Sequence, residues 1–353
     1  MTGSARAVVF RGPGQPLELV EVGLPKIGAG EVLVRVDFRT LCGSDLHTYR
    51  GERSTPVPTV LGHEAIGTVV AGAGIKVGAR VTWSVAASCG SCFFCSHELP
   101  QKCEHLFKYG HEKMGDEHPL SGGLATHCHL ARGTTVVEIP SDLPDEVACP
   151  ANCATATVAA ALRAAGDISG AVVLILGAGM LGLTAVAMCR VRGARAVIVS
   201  EPDAKRRALA AAFGASVAVD PGELEELLAD RTDGRGADLA LELSGAASAV
   251  RDSLERIRIG GTSVLVGSVF PAPPVPLEAE WIVRRNLTVR GVHNYAPVDL
   301  REAVSFLAAH HTKFPFAELI RDTFPLERAE EAFRYALDKN PPRVGITDVS
   351  PSR

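Results

Sequence analysis

The sequence predicts an α/β protein of two domains, a β-rich first part followed by a doubly wound sheet of parallel strands. Three observations carry this. The 353 residues exceed one ordinary domain of ~100–200 residues. Residues 1–150 hold short apolar or alternating runs with Gly and Pro between them, the pattern of strands. From residue 171 the apolar runs alternate with helical stretches, the pattern of parallel strands joined by crossover helices.

In the first part, Val8–Phe10, Val32–Asp37 and Ile66–Val70 read as strands. In the second, the strand Ala171–Leu176 meets a glycine turn, and the helical run Leu181–Arg192 follows. A strand at Ala196–Ser200 and a helical run through Ala212 come next, then strands at Ala237–Leu243 and Thr262–Ser268. The proline-rich Phe270–Pro276 is expected to be a loop. The tail carries two helical patterns, Leu300–Ala309 and Leu326–Leu337.

Composition narrows the function. Hydrophobic residues make up 46%, enough for buried cores. The net charge of −4 comes without a basic stripe, so nucleic-acid binding has no support. No apolar run reaches the ~18 residues of a membrane span, and Met1–Arg11 has no hydrophobic signal core. No membrane partner and a cytoplasmic location are therefore expected. Nine cysteines, an odd number without a signal peptide, argue against a disulfide framework.

Gly177, Gly179 and Gly182 form a G-x-G-x-x-G turn between the strand Ala171–Leu176 and the helix after it. The first glycine permits the tight turn, the second lets backbone approach a pyrophosphate, and the third lets helix and strand pack closely. The phosphates would face the amides at the helix N-terminus. Glu201 ends the next strand, where a carboxylate can accept from ribose hydroxyls and repel a 2′-phosphate. NAD is the expected cofactor. Arg206 and Arg207 follow on the helix, and an arginine there is what an NADP site would use, so Arg206 stands as a cofactor-binding candidate and NADP as the alternative. A glycine turn in a ligand-free core is the competing explanation.

Cys89, Cys92, Cys95 and Cys103 are spaced C-x2-C-x2-C-x7-C. Four thiolates can close a tetrahedral zinc shell with no open position, which makes such a site structural. An iron–sulfur cluster is the other metal centre these thiolates could hold. A second group comprises Cys42, His63 and Cys153. Two cysteines and a histidine leave a fourth zinc position open for water or substrate. Spacing alone leaves Cys153 equally readable as a small buried residue.

Six stretches in this order and spacing resemble the zinc-containing medium-chain dehydrogenase/reductase family over nearly the whole chain. They are CGSDLH (42–47), GHE (62–64), the four-cysteine stretch, NCATAT (152–157), GAGMLG (177–182) and GGTSVLVG (260–267). The resemblance implies a GroES-like β-rich catalytic domain, split into residues 1–153 and 294–353, with a Rossmann domain inserted at 154–293. It implies two Zn2+ per chain, an NAD-linked alcohol dehydrogenase reaction on a small-molecule alcohol or carbonyl, and a homodimer or homotetramer.

By matching position it implies that Cys42, His63 and Cys153 hold the catalytic zinc, the set known for alcohol dehydrogenase, and that Cys89, Cys92, Cys95 and Cys103 hold the structural one. Glu64 would approach the metal as a transient ligand, and Asp45 would orient His63. Ser44 would take the substrate proton, and His47 would be the outer end of the proton relay. Val266, Gly267 and the backbone around Val292–Asn294 would contact the nicotinamide. Sorbitol-dehydrogenase relatives usually carry a glutamate where Cys153 stands. Gly43 replaces a basic residue that some members use near the cofactor phosphates.

The substrate is less legible. Glu104–Pro119 is unusually polar and reads as a solvated surface loop. Alternatively it is a rim facing a polyol, cyclitol or sugar, with Lys108, His111 and Lys113 able to meet a phosphate or phosphonate. His127 and His129 flank Cys128 in an expected strand and read as packing or surface residues. His310 and His311 end a helix, where a cation suits the dipole. Cys128, Cys149 and Cys189 read as core residues. Two rival functions remain: a zinc-free enone or quinone reductase of the same fold, and a non-catalytic cofactor-binding protein.

Overall fold

A computed structural model describes residues 3–270 and 273–348. The chain divides into two compact units, one formed by Met1–Ala156, Ala296–His311 and Phe316–Arg353, the other by Thr157–Tyr295 and Thr312–Pro315.

The first unit is built on antiparallel strands. Its main sheet is centred on the strands Val32–Leu41 and Glu64–Gly72, which pair antiparallel, and extends through Arg80–Ala87. The tail returns to this sheet: Val344–Thr347 pairs antiparallel with Val32–Leu41, setting Val344 opposite Leu41. That pairing brings the residue before it, Arg343, to the strand end that leads into Cys42. Ser4–Phe10 pairs with Glu18–Gly23 in a smaller sheet. The helix Ala329–Lys339 turns Ala332, Phe333 and Ala336 inward onto Phe10, Leu61 and Ile346, which closes one core. Trp83, Tyr109 and Cys128 belong to a second.

The second unit is a six-stranded parallel sheet. Counted along the chain from Val172–Leu176, its strands lie side by side in the order three, two, one, four, five, six. The first strand, Val172–Leu176, pairs parallel with both Ala196–Ser200 and Ala237–Glu242. All five of its residues are buried, as expected of a strand covered on both faces. The order reverses at this strand, so the crevice beyond its C-terminal end, and that of Ala237–Glu242, is where a ligand binds in such a fold.

Several elements differ from expectation at their bounds. The strand expected at Thr262–Ser268 runs Ile257–Leu265, and the helix expected from Leu326 begins at Ala329 after a tight turn at Leu326–Arg328. Of the expected loop Phe270–Pro276, Pro271 and Ala272 lie outside the described residues. Among the described residues no helix is long and apolar enough to cross a membrane.

Candidate active site and metal centres

Cys42 follows the strand Val32–Leu41 directly and is the N-cap residue of the helix Gly43–Tyr49. Asp45, in the first turn of that helix, is fully buried, and its Oδ2 accepts from the Cys42 amide at 2.9 Å. A carboxylate suits both the unpaired amides and the dipole at a helix start. Its other oxygen, Oδ1, accepts from His63 Nδ1 at 3.2 Å. One buried carboxylate therefore fixes the Cys42 turn and the imidazole together, and leaves His63 Nε2 to face the thiols.

Cys153 follows the tight turn Cys149–Asn152, whose four residues are buried. The Asn152 amide donates to the carbonyls of His63 at 2.9 Å and Trp83 at 2.8 Å. This ties the Cys153 turn to the His63 loop and explains how a cysteine 111 residues away reaches Cys42. The two sulfurs lie 4.0 Å apart. A tetrahedral zinc with ~2.3 Å arms separates two thiolates by ~3.8 Å, so the spacing suits one ion. The ligand atoms of Cys42, His63, Glu64 and Cys153 all lie within 4.8 Å of one another.

The electrostatics agree. A hydrogen bond from Cys153 holds the Cys42 thiol well below the usual range against burial, with help from Arg343 and His63. Cys153 is pushed up by its bond to Cys42 and by burial. Burial lowers His63, but Asp45 and Cys42 outweigh it and raise the imidazole to about 10. Asp45 and the Cys42 sulfur thus favour a positive charge at His63. A divalent cation can take over that role at His63 Nε2 while Asp45 keeps Nδ1–H.

Glu64 is fully buried and accepts three bonds: from Arg343 Nε at 2.7 Å, Arg343 Nη2 at 2.8 Å and Thr40 Oγ1 at 2.6 Å. Arg343 Nη2 also lies 3.5 Å from Cys42 Sγ. This paired guanidinium went unnoticed in the sequence, because 279 residues separate it from Glu64 and no local motif marks it. Ser44 Oγ is 3.4 Å from His63 Nε2. His47, one helical turn on, pairs through Nδ1 with Glu52, and Arg50 bonds the same carboxylate.

The loop expected to be solvated is not uniformly so. Phe107–Lys108 pairs with Ala86–Ala87 as a short strand, which draws Tyr109 fully into the core. His111 is 8% exposed, and its ring centroid is 5.9 Å from that of His63. Burial pushes it down to about 2, with Arg53, His63 and Lys108 adding to the effect, so the ring is neutral. Lys108 is half-buried and pushed down to about 8 by burial and then by Arg53. Lys113 is exposed. His129 is buried, with Nε2 bonded to Glu31 at 2.9 Å, and Cys128, Cys149 and Cys189 are buried thiols.

The four-cysteine stretch forms a separate cluster in the same unit, with all four sulfurs within 4.8 Å of one another. Cys92 and Cys103 sulfurs are 3.8 Å apart. Backbone amides point at the sulfurs: Cys92 at Cys89, and Cys89 and His105 at Cys103, over 3.2–3.3 Å. The amides of Ser91 and Cys92 bring the Cys89 thiol down to about 6. Neither the helix Phe93–Ser96 nor the turn Pro100–Lys102 buries a residue, so a metal clamp is what can order this lobe. Cys103→Ser is expected to remove one bound zinc per chain and to make residues 89–103 the first site of proteolysis. Metal analysis and limited digestion check this, and unchanged zinc content would contradict it.

In the second unit the three glycines behave as the turn requires. Gly177 has φ +99°, a left-handed conformation that favours glycine. A Cβ on Gly182 would sit 2.0 Å from the Gly177 carbonyl oxygen, whereas one on Gly179 would meet nothing within 4 Å. The turn is packed where helix meets strand and open where a pyrophosphate would lie. Glu201 is 5% exposed, and its carboxylate accepts from the amides of Ala178 at 2.7 Å and Asp203 at 3.0 Å, joining the glycine turn to the next helix start. The Arg206 amide bonds Asp203, and the Arg207 guanidinium donates to the carbonyls of Glu201 and Pro202. The amides of Val266 and Gly267 both donate to the Glu242 carbonyl, which fixes the backbone just past the strand Ile257–Leu265. Val292 donates to Leu265 beside them.

Comparison with known proteins follows the same division. Residues 28–141 match the alcohol dehydrogenase GroES-like domain family, and residues 181–309 the zinc-binding dehydrogenase family. The chain is 34% identical over 305 residues to L-threonine 3-dehydrogenase of Thermococcus kodakarensis, covering 83% of each. It is 31% identical to D-arabitol-phosphate dehydrogenase of Enterococcus avium, covering 98% of each. The fold superposes on an alcohol dehydrogenase of Thermotoga maritima with a TM-score of 0.92 at 30% identity, covering 98% of this chain and 99% of that one. Zinc and a nicotinamide nucleotide are the cofactors of such enzymes. The chain belongs to the zinc-containing medium-chain alcohol dehydrogenase family and is an alcohol dehydrogenase-type enzyme.

Proposed function

We propose that this enzyme oxidises a polar alcohol, a polyol, cyclitol or phosphorylated alcohol, with NAD. In this reading Cys42, His63 and Cys153 hold a catalytic zinc, and Cys89, Cys92, Cys95 and Cys103 hold a structural zinc. One observation carries it: two thiols and an imidazole converge in a buried turn, with the imidazole already oriented by Asp45.

When bound, zinc supplies a Lewis acid for the alcohol oxygen and the nicotinamide supplies a hydride acceptor. The chain's own residues do the rest. Three protein ligands leave a fourth position for the substrate oxygen. Asp45 keeps His63 Nε2 turned toward the Cys42 and Cys153 sulfurs, and Arg343 steadies Glu64 beside these three ligands. The Ser44 hydroxyl, 3.4 Å from His63 Nε2, is suited to receive the alcohol proton. His47 carries the proton outward, its side chain 32% exposed beside Glu52.

NAD is favoured over NADP by two features. The Glu201 carboxylate sits at the strand end beside the glycine turn, where it would repel a 2′-phosphate. Arg207 is committed to backbone carbonyls. Threonine and arabitol phosphate, in the names of the two relatives, are polar hydroxyl compounds.

The experiment is reduced-cofactor formation by zinc-loaded protein with simple alcohols, polyols and cyclitols. A polar alcohol is expected to react, with kcat/KM for NAD at least about tenfold above NADP. Glu201→Ala is expected to narrow that gap. Preference for NADP, or silence toward every alcohol with both metal sites filled, contradicts the reading.

A further inference from the structure

We propose that Arg53, Lys108 and His111 form an anion-binding subsite beside the Cys42–His63–Cys153 cluster, so that the alcohol oxidised there carries a phosphate or carboxylate group. The inference rests on the dehydrogenase reading and narrows its substrate class.

The three residues lie on two segments of one unit that are fastened together. Lys108 ends the short strand Phe107–Lys108, its amide held by Glu112 Oε1 at 2.8 Å and its carbonyl by the His111 amide at 3.1 Å. One oxygen of the Glu112 carboxylate is thus spent on backbone. Thr55 Oγ1 donates to the His111 carbonyl at 3.3 Å, which fastens the Arg53 segment to this loop. Arg53, Lys108 and His111 lie within electrostatic reach of one another and of Cys42.

Among the described residues, neither the Arg53 guanidinium nor the Lys108 ammonium has a hydrogen bond or ion pair, though both are half-buried. His111 Nδ1 is buried without a partner as well. Arg and Lys are seldom buried unpaired, because each loses water without compensation, and two placed side by side repel. A fold stabilised for its own sake would pair them. Asp45, the carboxylate whose charge acts on Arg53, is already occupied by Cys42 and His63. Oxygens of an incoming anion satisfy all three groups: the guanidinium fork bidentately, the ammonium as a point charge and the imidazole as a neutral donor.

The test uses the zinc-loaded enzyme with saturating NAD and two matched trios: glycerol, glycerol phosphate and glycerate, then arabitol, arabitol phosphate and arabinonate. The wild type is expected to favour an anionic member by kcat/KM. Which member it favours tells phosphate from carboxylate. In Arg53→Ala and Lys108→Ala the ratio of anionic to neutral kcat/KM is expected to fall about 10–100-fold. Arg53→Lys and Lys108→Arg should retain part of it. Lys76→Ala, a remote exposed charge, controls for net charge.

Calorimetry with inorganic phosphate and with malonate gives a second readout. Affinity weakened in the Arg53 and Lys108 variants supports the subsite even where no trio member is turned over. That pattern would count against the proposed NAD-linked oxidation of polar alcohols alone. Turnover of neutral alcohols with no anionic preference, and anion affinities equal in all variants, would overturn the subsite and leave the dehydrogenase standing.

Discussion

Cys42→Ala and His63→Ala are each expected to abolish alcohol oxidation while nicotinamide nucleotide binding survives. In the proposed reading each variant removes one of three zinc ligands, and a Lewis acid at a developing alkoxide contributes several kcal/mol, so turnover should fall on the order of a thousandfold or more. The glycine turn and Glu201 belong to the other compact unit, which builds its sheet without these residues. Cofactor affinity, read by fluorescence or calorimetry, should therefore stay within about twofold of wild type. Retained turnover in either variant would remove the catalytic assignment. Lost turnover together with lost cofactor binding would indicate misfolding instead, and Cys42→Ser, which preserves shape, then separates the two.

Arg343→Met is expected to produce the largest loss of stability. Glu64 is fully buried and Arg343 is 6% exposed, and their two short bonds form a bidentate pair with little access to water. Removing the cation leaves a buried carboxylate with Thr40 as its remaining hydrogen-bond donor. Breaking one side of such a pair costs about 3–5 kcal/mol, which corresponds to a Tm decrease of roughly 6–20 °C. Changing both partners, as Glu64→Gln with Arg343→Met, should recover part of that loss because no charge is then stranded. A Tm within about a degree of wild type in the single variant would show that the pair does not hold the tail strand in place.

Much of this was legible in the sequence because it is local. The order of strand, glycine turn and helix at 171–192 is written in adjacent residues, and so is the spacing of the four cysteines. Asp45 and His63 could be paired only through resemblance, since a helix start and a loop meet there through tertiary packing. On spacing alone Cys153 is equally readable as a small buried residue and only the resemblance marks it as a ligand; what brings it to Cys42 is Asn152, which ties its turn to the His63 carbonyl. Arg343 and Arg53 were not legible at all. Neither lies in a motif, and each matters through what the fold places beside it: Glu64 for one, Lys108 and His111 for the other. The polar stretch 104–119 misled for a related reason. Its charges suggested solvent, but the strand pairing of Phe107–Lys108 draws Tyr109 and His111 inward, while Lys113 remains outside.

The measurement that tests the central claim most directly is zinc content per chain in the wild type, in Cys153→Ala and in Cys103→Ser, taken alongside turnover. Two zinc ions are expected in the wild type and one in each variant. Cys153→Ala should lose activity with its zinc, and Cys103→Ser should lose stability first. One zinc or none in the wild type, or activity that persists after the Cys153 site is emptied, would contradict the account and favour a zinc-free reductase on the same fold.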